Sequence, residues 1–171
     1  SVKKIAYGDA VDMSDIPEPT RTGYVFKGWD NEFPATMPAE NLLYYAQWSA
    51  SSYNLILVKN SNDPSENDTL SYEYGDKIKR VVDPERIGYR FIEWIPAIPD
   101  SMPNENVVVT AKWEHLIYRY VVYSFDNDST EIEFHYGDKL PTLKEPEKLG
   151  WTFTGWDKTI PTTMPANDLI V

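Results

Sequence analysis

The sequence predicts an α+β, mostly β fold: tandem small modules, each a four-stranded sheet with a short helical turn as crossover. Three observations lead there. One set of landmarks recurs three times in the same order. The segments between turns either alternate apolar and polar residues or run as short stretches of strand formers. An acidic residue, a proline and then a glycine punctuate the middle of every copy, too close together to frame a full helix.

The middle copy shows each element in turn. Tyr53-Asn54-Leu55-Ile56-Leu57-Val58 is a run of strand formers, and the polar stretch Asn60 to Asp68 is a hairpin loop. Leu70, Tyr72 and Tyr74 then alternate with Ser71 and Glu73, the pattern of a half-buried strand. The third copy repeats it, with Ile132, Phe134 and Tyr136 against Glu131, Glu133 and His135. Gly75 permits a turn there that a side chain would obstruct. Asp83 suits a cap, Pro84 a first helical position and Gly88 the left-handed residue after the end, which predicts about one helical turn. The next strand, Tyr89 to Trp94, carries the main aromatics. Val107, Val109, Ala111 and Trp113 then share one face of a last strand. Between those strands, Met-Pro seats a flexible thioether in the core and stops the chain from pairing.

Spacing makes the repeat specific. Tyr7-Gly8-Asp9 returns as Tyr74-Gly75-Asp76 and Tyr136-Gly137-Asp138. Gly23, Gly88 and Gly150 each precede an aromatic strand that ends at Trp29, Trp94 or Trp156. Met37, Met102 and Met164 follow, each before proline, and Ala-x-Trp endings close the first two copies at Trp48 and Trp113. Trp29 to Trp94 and Met37 to Met102 both span 65 residues; Trp94 to Trp156 and Met102 to Met164 both span 62. The copies are residues 1–48, lacking a first strand, 49–113, complete, and 114–171, lacking a last strand. The linkers are short, Ser49 to Ser52 and Glu114 to Ile117, so a semi-rigid string of beads is expected. One parity clash stands out. Tyr24, Phe26 and Gly28 share a face, which throws Trp29 to the other side unless a bulge at Gly28, or at Gly155, resets it. The middle copy has Glu93 there and Ile95 in place of Asp30 and Asp157, and is expected to bend differently.

Composition narrows the function classes. The 171 residues carry a net charge of −11 and no cysteine. The acidity is spread: 4 basic against 7 acidic residues in 1–48, 7 against 10 in 49–113, and 5 against 10 in 114–171. That argues against nucleic acid and anionic membrane surfaces, which call for a basic face. Without cysteine there are no disulfides, thiol catalysis or thiolate metal sites. No apolar run nears the roughly 20 residues of a membrane span, so no direct membrane insertion is expected. The chain begins at Ser1 and shows no signal-peptide pattern, which reads as a piece of a longer protein.

The landmarks together resemble the Listeria–Bacteroides repeat, the B repeat of internalin-type surface proteins. The carriers are Gly23-Tyr24-Val25-Phe26-Lys27-Gly28-Trp29-Asp30, Gly150-Trp151-Thr152-Phe153-Thr154-Gly155-Trp156-Asp157, the three Met-Pro pairs and the Ala-x-Trp endings. The resemblance implies small β-grasp-like modules with a reduced helix, in tandem arrays of secreted or cell-surface bacterial proteins, serving as spacers or adhesion modules. It brings no catalytic residues.

The residues themselves offer little chemistry. His115 and His135 lie outside the repeated motifs, so neither is read as catalytic or as a ligand. Asp9, Asp76 and Asp138 are read as turn aspartates bonding their own backbone rather than as acids. The Asn60–Asp68 loop and Asp126-Asn127-Asp128 carry oxygen ligands suited to calcium, but the spacing fits no EF-hand, and no metal or cofactor is expected. Repeated aromatics such as Tyr24, Phe26, Trp29 and Trp48 are assigned to the core. The copy-specific Tyr44, Tyr45, Tyr118 and Tyr120 are the candidate exposed contacts. The resulting expectation is a non-enzymatic surface module, acting as spacer and weak multivalent adhesin toward a host or bacterial surface protein or a glycan. The alternative is an accessory carbohydrate-binding module of a large secreted enzyme. Unpaired strand edges at the two incomplete copies also lead us to expect head-to-tail self-association.

Overall fold

A computed structural model of the chain describes residues 2–14, 16–60, 64–125 and 128–171. Among them run nine strands: β1 (Tyr24–Trp29), β2 (Ala46–Ala50), β3 (Ser52–Val58), β4 (Asp68–Glu73), β5 (Tyr89–Ile95), β6 (Val107–His115), β7 (Ile117–Phe125), β8 (Asp128–His135) and β9 (Leu169–Ile170). The helix content among the described residues is one 3-10 turn, Pro64–Glu66, inside the β3–β4 loop. The protein is mostly β, as expected.

The sheets follow the repeat. The middle copy forms four strands in the order β4-β3-β6-β5, so its first and last strands are central neighbours and each carries a hairpin partner outside it. The third copy keeps β8-β7-β9, with β9 parallel to β7. Among the described residues the first copy forms the hairpin β1-β2. Residues 151–156, the counterpart of β1 and β5, are not in a strand. By contacts the chain divides into two compact units, residues 1–57, 67–80 and 98–109, and residues 58–66, 81–97 and 110–171. The division passes through the middle copy.

Three sequence expectations need correction. First, no helical turn forms over Asp83–Gly88; the segment is irregular and ends in a tight turn at Ile87-Gly88. The few residues between Pro84 and Gly88, preceded by β-branched Val81 and Val82, are too few to offset helix nucleation. Second, the linkers are strand: β2 passes into β3 across Ser51 alone, and β6 into β7 across Leu116 alone. Third, the middle copy keeps the bulge although Glu93 stands where the first copy has Gly28 at φ 112°. The bulge expected in the first copy falls between Phe26 and Gly28, and an equivalent register shift falls between Phe91 and Glu93. The extra residue is Lys27 in one and Ile92 in the other, so in the middle copy the bulge forms without glycine.

That bulge resolves the parity clash. Phe26 faces Trp48 and Trp29 faces Ala46, two positions apart on the partner strand, so all three aromatics share a face. Rings meet edge-on in Phe26–Trp29 and Phe26–Trp48, each at 5.6 Å, and in Phe91–Trp113 at 5.7 Å, while Phe91–Trp94 is a tilted pair at 5.5 Å. Outward positions carry charge: Lys112 pairs with Glu93 at 2.9 Å, and Arg90 with Glu114, each across the β5–β6 ladder. At that exposure such pairs contribute little stability.

The buried residues of the first unit are Leu55, Leu57, Met102 and Val109. In the second, Tyr120, Leu140, Met164 and Val171 form one cluster, with Phe134 and Trp156 packed against it.

Candidate functional site

Two repeated constructions account for most of the landmark residues. The first is a clasp within each copy. The Gly75 N–H donates to the Met102 carbonyl at 2.9 Å, and the Met102 N–H returns to the Asp76 carbonyl at 2.9 Å. Gly137, Met164 and Asp138 repeat it at 2.9 and 2.8 Å, and Gly8, Met37 and Asp9 at 2.9 and 2.8 Å. The methionine is thereby pinned beneath the Tyr-Gly-Asp turn, and Met102 and Met164 are fully buried. Two of these turn aspartates bond backbone as expected: Asp76 Oδ2 accepts from the Glu73 N–H at 3.0 Å and Asp138 Oδ2 from the His135 N–H at 2.8 Å.

The second construction joins consecutive copies. Arg21-Thr22-Gly23-Tyr24 is a β-turn closed by the Tyr24 N–H to the Arg21 carbonyl at 3.0 Å, with Gly23 at φ 76°. Arg86 to Tyr89 and Lys148 to Trp151 repeat it, with Gly88 at φ 79° and Gly150 at φ 81°. In each turn the cation lies over the aromatic ring, Arg21 at 3.8 Å, Arg86 at 3.9 Å and Lys148 at 5.5 Å. The tyrosine of the following copy's Tyr-Gly-Asp packs on the glycine. A Cβ on Gly23 would sit 2.2 Å from the Tyr74 ring, and a Cβ on Gly88 would sit 2.5 Å from Tyr136 Cβ. Backbone bonds seal the contact: Ser51 N–H to Gly23 O at 2.9 Å, Tyr74 N–H to Ser51 O at 2.8 Å, and Leu116 N–H to Gly88 O at 2.9 Å. Tyr24 meets Tyr74 edge-on at 5.7 Å. At the second junction Tyr89 meets His115 at 4.1 Å, and His115 meets His135 at 4.9 Å. The two histidines therefore sit together against a junction.

A third repeated device was missed in the sequence. Asn106 Oδ1 accepts from the Asn54 N–H at 2.8 Å, and Asp168 Oδ1 accepts from the Arg119 N–H at 2.9 Å. Asn106 and Asp168 occupy one position of the repeat, 62 residues apart, as Asn54 and Arg119 occupy another, 65 apart. Asp168 also takes two bonds from the Arg119 guanidinium, at 3.0 and 2.8 Å. These bonds hold its carboxyl below the ordinary range, the backbone bond first.

The four candidate tyrosines separate. Tyr45 is 61% exposed. Tyr44 is half-buried and lies against Phe33 at 4.5 Å. Tyr118 packs beside the second core, and Tyr120, at 1% exposure, is part of it. The expectation that Tyr120 is exposed is therefore overturned: it occupies the position of the buried Leu55. Its hydroxyl is buried without a hydrogen-bond partner among the described residues, and burial pushes its pKa up.

Two open cavities lie along the crossovers. One of about 110 Å³ is lined by Met13, Ile16, Pro17, Glu18, Pro19, Phe26 and Trp29. One of about 450 Å³ is lined by Pro84, Glu85, Arg86, Ile87, Tyr89, Phe91 and Trp113. Among the described residues no three His, Cys, Asp or Glu side chains gather to hold a metal. Part of the calcium reading, at residues 61–63 and 126–127, lies outside the described residues. Among the described residues no helix is long and apolar enough to cross a membrane.

The family model for the Listeria–Bacteroides repeat domain matches residues 1–47, 53–112 and 120–168. A protein of Evansella cellulosilytica with a membrane-protein name is 31% identical over 176 residues, covering 90% of this chain and 26% of its own length. Another from that organism, named as a Gly-rich membrane protein, is 30% identical over 175 residues, covering 89% of this chain and 20% of its own. The chain thus spans a quarter or so of one relative and a fifth of the other. No solved structure matches.

Proposed function

Because this chain belongs to the Listeria–Bacteroides repeat family, we propose that it is a non-enzymatic segment of a bacterial cell-envelope protein, holding other domains at a distance and offering weak multivalent contacts. The observation that carries the reading is where the aromatics go. The repeated Tyr, Phe and Trp residues pack against one another within copies or across junctions, an arrangement that serves continuity along the chain. The membrane-protein names of much longer relatives support an envelope location, at the surface or secreted. The order β4-β3-β6-β5, with first and last strands central, supports a β-grasp-like module in which the crossover has lost its helix. Tandem display multiplies a weak contact through effective concentration, so a modest site repeated three times suffices for adhesion.

The alternative, an accessory carbohydrate-binding module, draws on the aromatic-lined cavity of about 450 Å³ beside Arg86. Binding of the labelled three-repeat fragment to mammalian cells and to bacterial wall, beside a single repeat, separates the readings. Saturable binding that strengthens from one repeat to three makes the chain an adhesive array. No binding by the folded fragment leaves the spacer role alone. Glycan binding of equal strength by one repeat and by three overturns the reading in favour of the carbohydrate module.

A further inference from the structure

The crossover of the middle copy differs from the other two in charge. After the Tyr-Gly-Asp turn the three copies read Ala10-Val11-Asp12-Met13, Lys77-Ile78-Lys79-Arg80 and Lys139-Leu140-Pro141-Thr142, so adjacent cations stand at 79 and 80 in the middle copy alone. Ile78 is the last residue held before them, its N–H donating to the Asp100 carbonyl at 3.0 Å. From Lys79 to Glu85 the chain is neither strand nor helix and makes no hydrogen bond or ion pair among the described residues. Lys79, Arg80 and Asp83 are exposed, and Val82 is 86% exposed. One boundary between the two compact units also falls between Arg80 and Val81.

We propose that the Arg80–Val81 bond is a cleavage site for a trypsin-like serine protease. Such an enzyme takes a basic side chain into an acidic specificity pocket and binds the flanking backbone as an added strand. Arg80 supplies the side chain, and residues 79–85 supply backbone that need not be freed from other partners first. The C–N bond between Arg80 and Val81 breaks and water adds across it, leaving a carboxylate on Arg80, an amine on Val81 and one released proton. Other cations in the crossovers are less suited. The carbonyls of Arg21, Arg86 and Lys148 each close a turn, and Lys144 is followed by Glu145 and Pro146, a carboxylate and a locked ring where the enzyme must bind. The cut does not part the copy. Residues 1–80 remain joined to 81–171 by the Gly75–Met102 and Met102–Asp76 backbone bonds, both 2.9 Å, by the Ile78–Asp100 bond, and by β3 beside β6. In the spacer role proposed above, such a nick removes the covalent link while the copy stays assembled. The site is read from the cut itself and does not depend on that role.

Brief digestion of the whole chain with a trace of trypsin, followed by intact mass spectrometry, tests this. Residues 1–80 and 81–171 should accumulate as the first pair of products, elute together in native buffer and separate in urea. Cutting through global unfolding would instead open the bonds after all 16 Lys and Arg together and leave small peptides with no such pair. Replacing both cations, Lys79→Gln with Arg80→Gln, should slow cleavage in this crossover at least about a hundredfold, while Lys144→Gln should leave the first cut and its rate unchanged. A subtilisin-type protease of broad specificity should make its first cut within residues 79–85 in the parent and the double variant alike, which separates loss of the side chain from a change in the backbone. A first cut elsewhere, small peptides without an accumulated pair, or cleavage of the double variant at the parent's rate overturns the proposal. So do fragments that separate in native buffer, or a broad-specificity cut that avoids the segment.

Discussion

Gly23→Ala in the first junction separates backbone strain from contact between copies. Two costs are expected. At φ 76° an alanine pays about 1–2 kcal/mol for the left-handed conformation, wherever the glycine stands. In addition its Cβ would lie 2.2 Å from both Cδ1 and Cγ of Tyr74, closer than real side chains pack, so the ring or the turn must move. Overpacking of that kind adds about 1–3 kcal/mol. The total is about 2–5 kcal/mol, but only the second part depends on Tyr74. In a Tyr74→Ala background the offending ring atoms are gone, and Gly23→Ala should fall to the strain cost alone. Gly150→Ala, at φ 81° with open space around it, is the matching control in the unmodified chain. Urea unfolding of the four members of the cycle, with m-values compared, gives the coupling, expected to be about 1–3 kcal/mol. If Gly23→Ala costs the same within about 0.5 kcal/mol in both backgrounds, the glycine serves its turn alone and the junction argument fails.

Three more outcomes follow from the clasps and the cores. Met102→Ala and Met164→Ala should each destabilise by about 2–5 kcal/mol, and Met37→Ala, which is only half-buried, by clearly less; equilibrium unfolding measures all three. Tyr120→Phe removes a buried hydroxyl without a hydrogen-bond partner among the described residues and should be neutral or stabilising, by up to about 1 kcal/mol; a loss of more than that would mean the hydroxyl is bonded. Asp168 has its carboxyl pKa lowered in the folded chain, so its contribution is present above the ordinary value of 3.8 and is lost as pH falls through the lower folded value. Asp168→Asn keeps an acceptor for the Arg119 N–H, as Asn106 does for Asn54, but loses the charge. Its stability-against-pH curve, followed by thermal melting from neutral to acid, should therefore be flatter below about pH 4 than that of the parent.

Much of this architecture was legible in the sequence because the repeat supplied an internal alignment. The strands, the face shared by Val107, Val109, Ala111 and Trp113, and the need for a bulge all came from parity. Where only one local signal was used, the reading failed. Asp83, Pro84 and Gly88 look like helix punctuation, yet Gly88 is left-handed because a turn and a neighbouring tyrosine need it, and no helix precedes it. Glu93 in place of glycine leaves the register shift intact, because the bulge follows the ladder and the aromatic face. Tyr120 is copy-specific by residue type, though its alignment with Leu55 marks the position as apolar. The Asn106 and Asp168 devices were visible only as one position holding two side chains that accept the same bond.

The junctions change what the repeated residues mean. A residue that recurs in every copy is ordinarily assigned to the fold of that copy, and for the methionines, the turn aspartates and the Phe-Trp clusters the geometry agrees. The tyrosine of Tyr-Gly-Asp and the glycine before the aromatic strand are different. Tyr74 and Tyr136 spend their rings on the preceding copy, while Gly23 and Gly88 leave out a side chain so that the following copy can approach. The turns that hold Tyr7 and Gly150 are closed in the same way. Local hydrogen bonding thus presets both halves of the contact in every copy. Since β2 and β6 pass into the next copy across a single residue, each junction is fixed by strand continuity and by the ring on the glycine together. Tandem arrangement is therefore written into the sequence of every copy, in two residues that an isolated module would not use for packing.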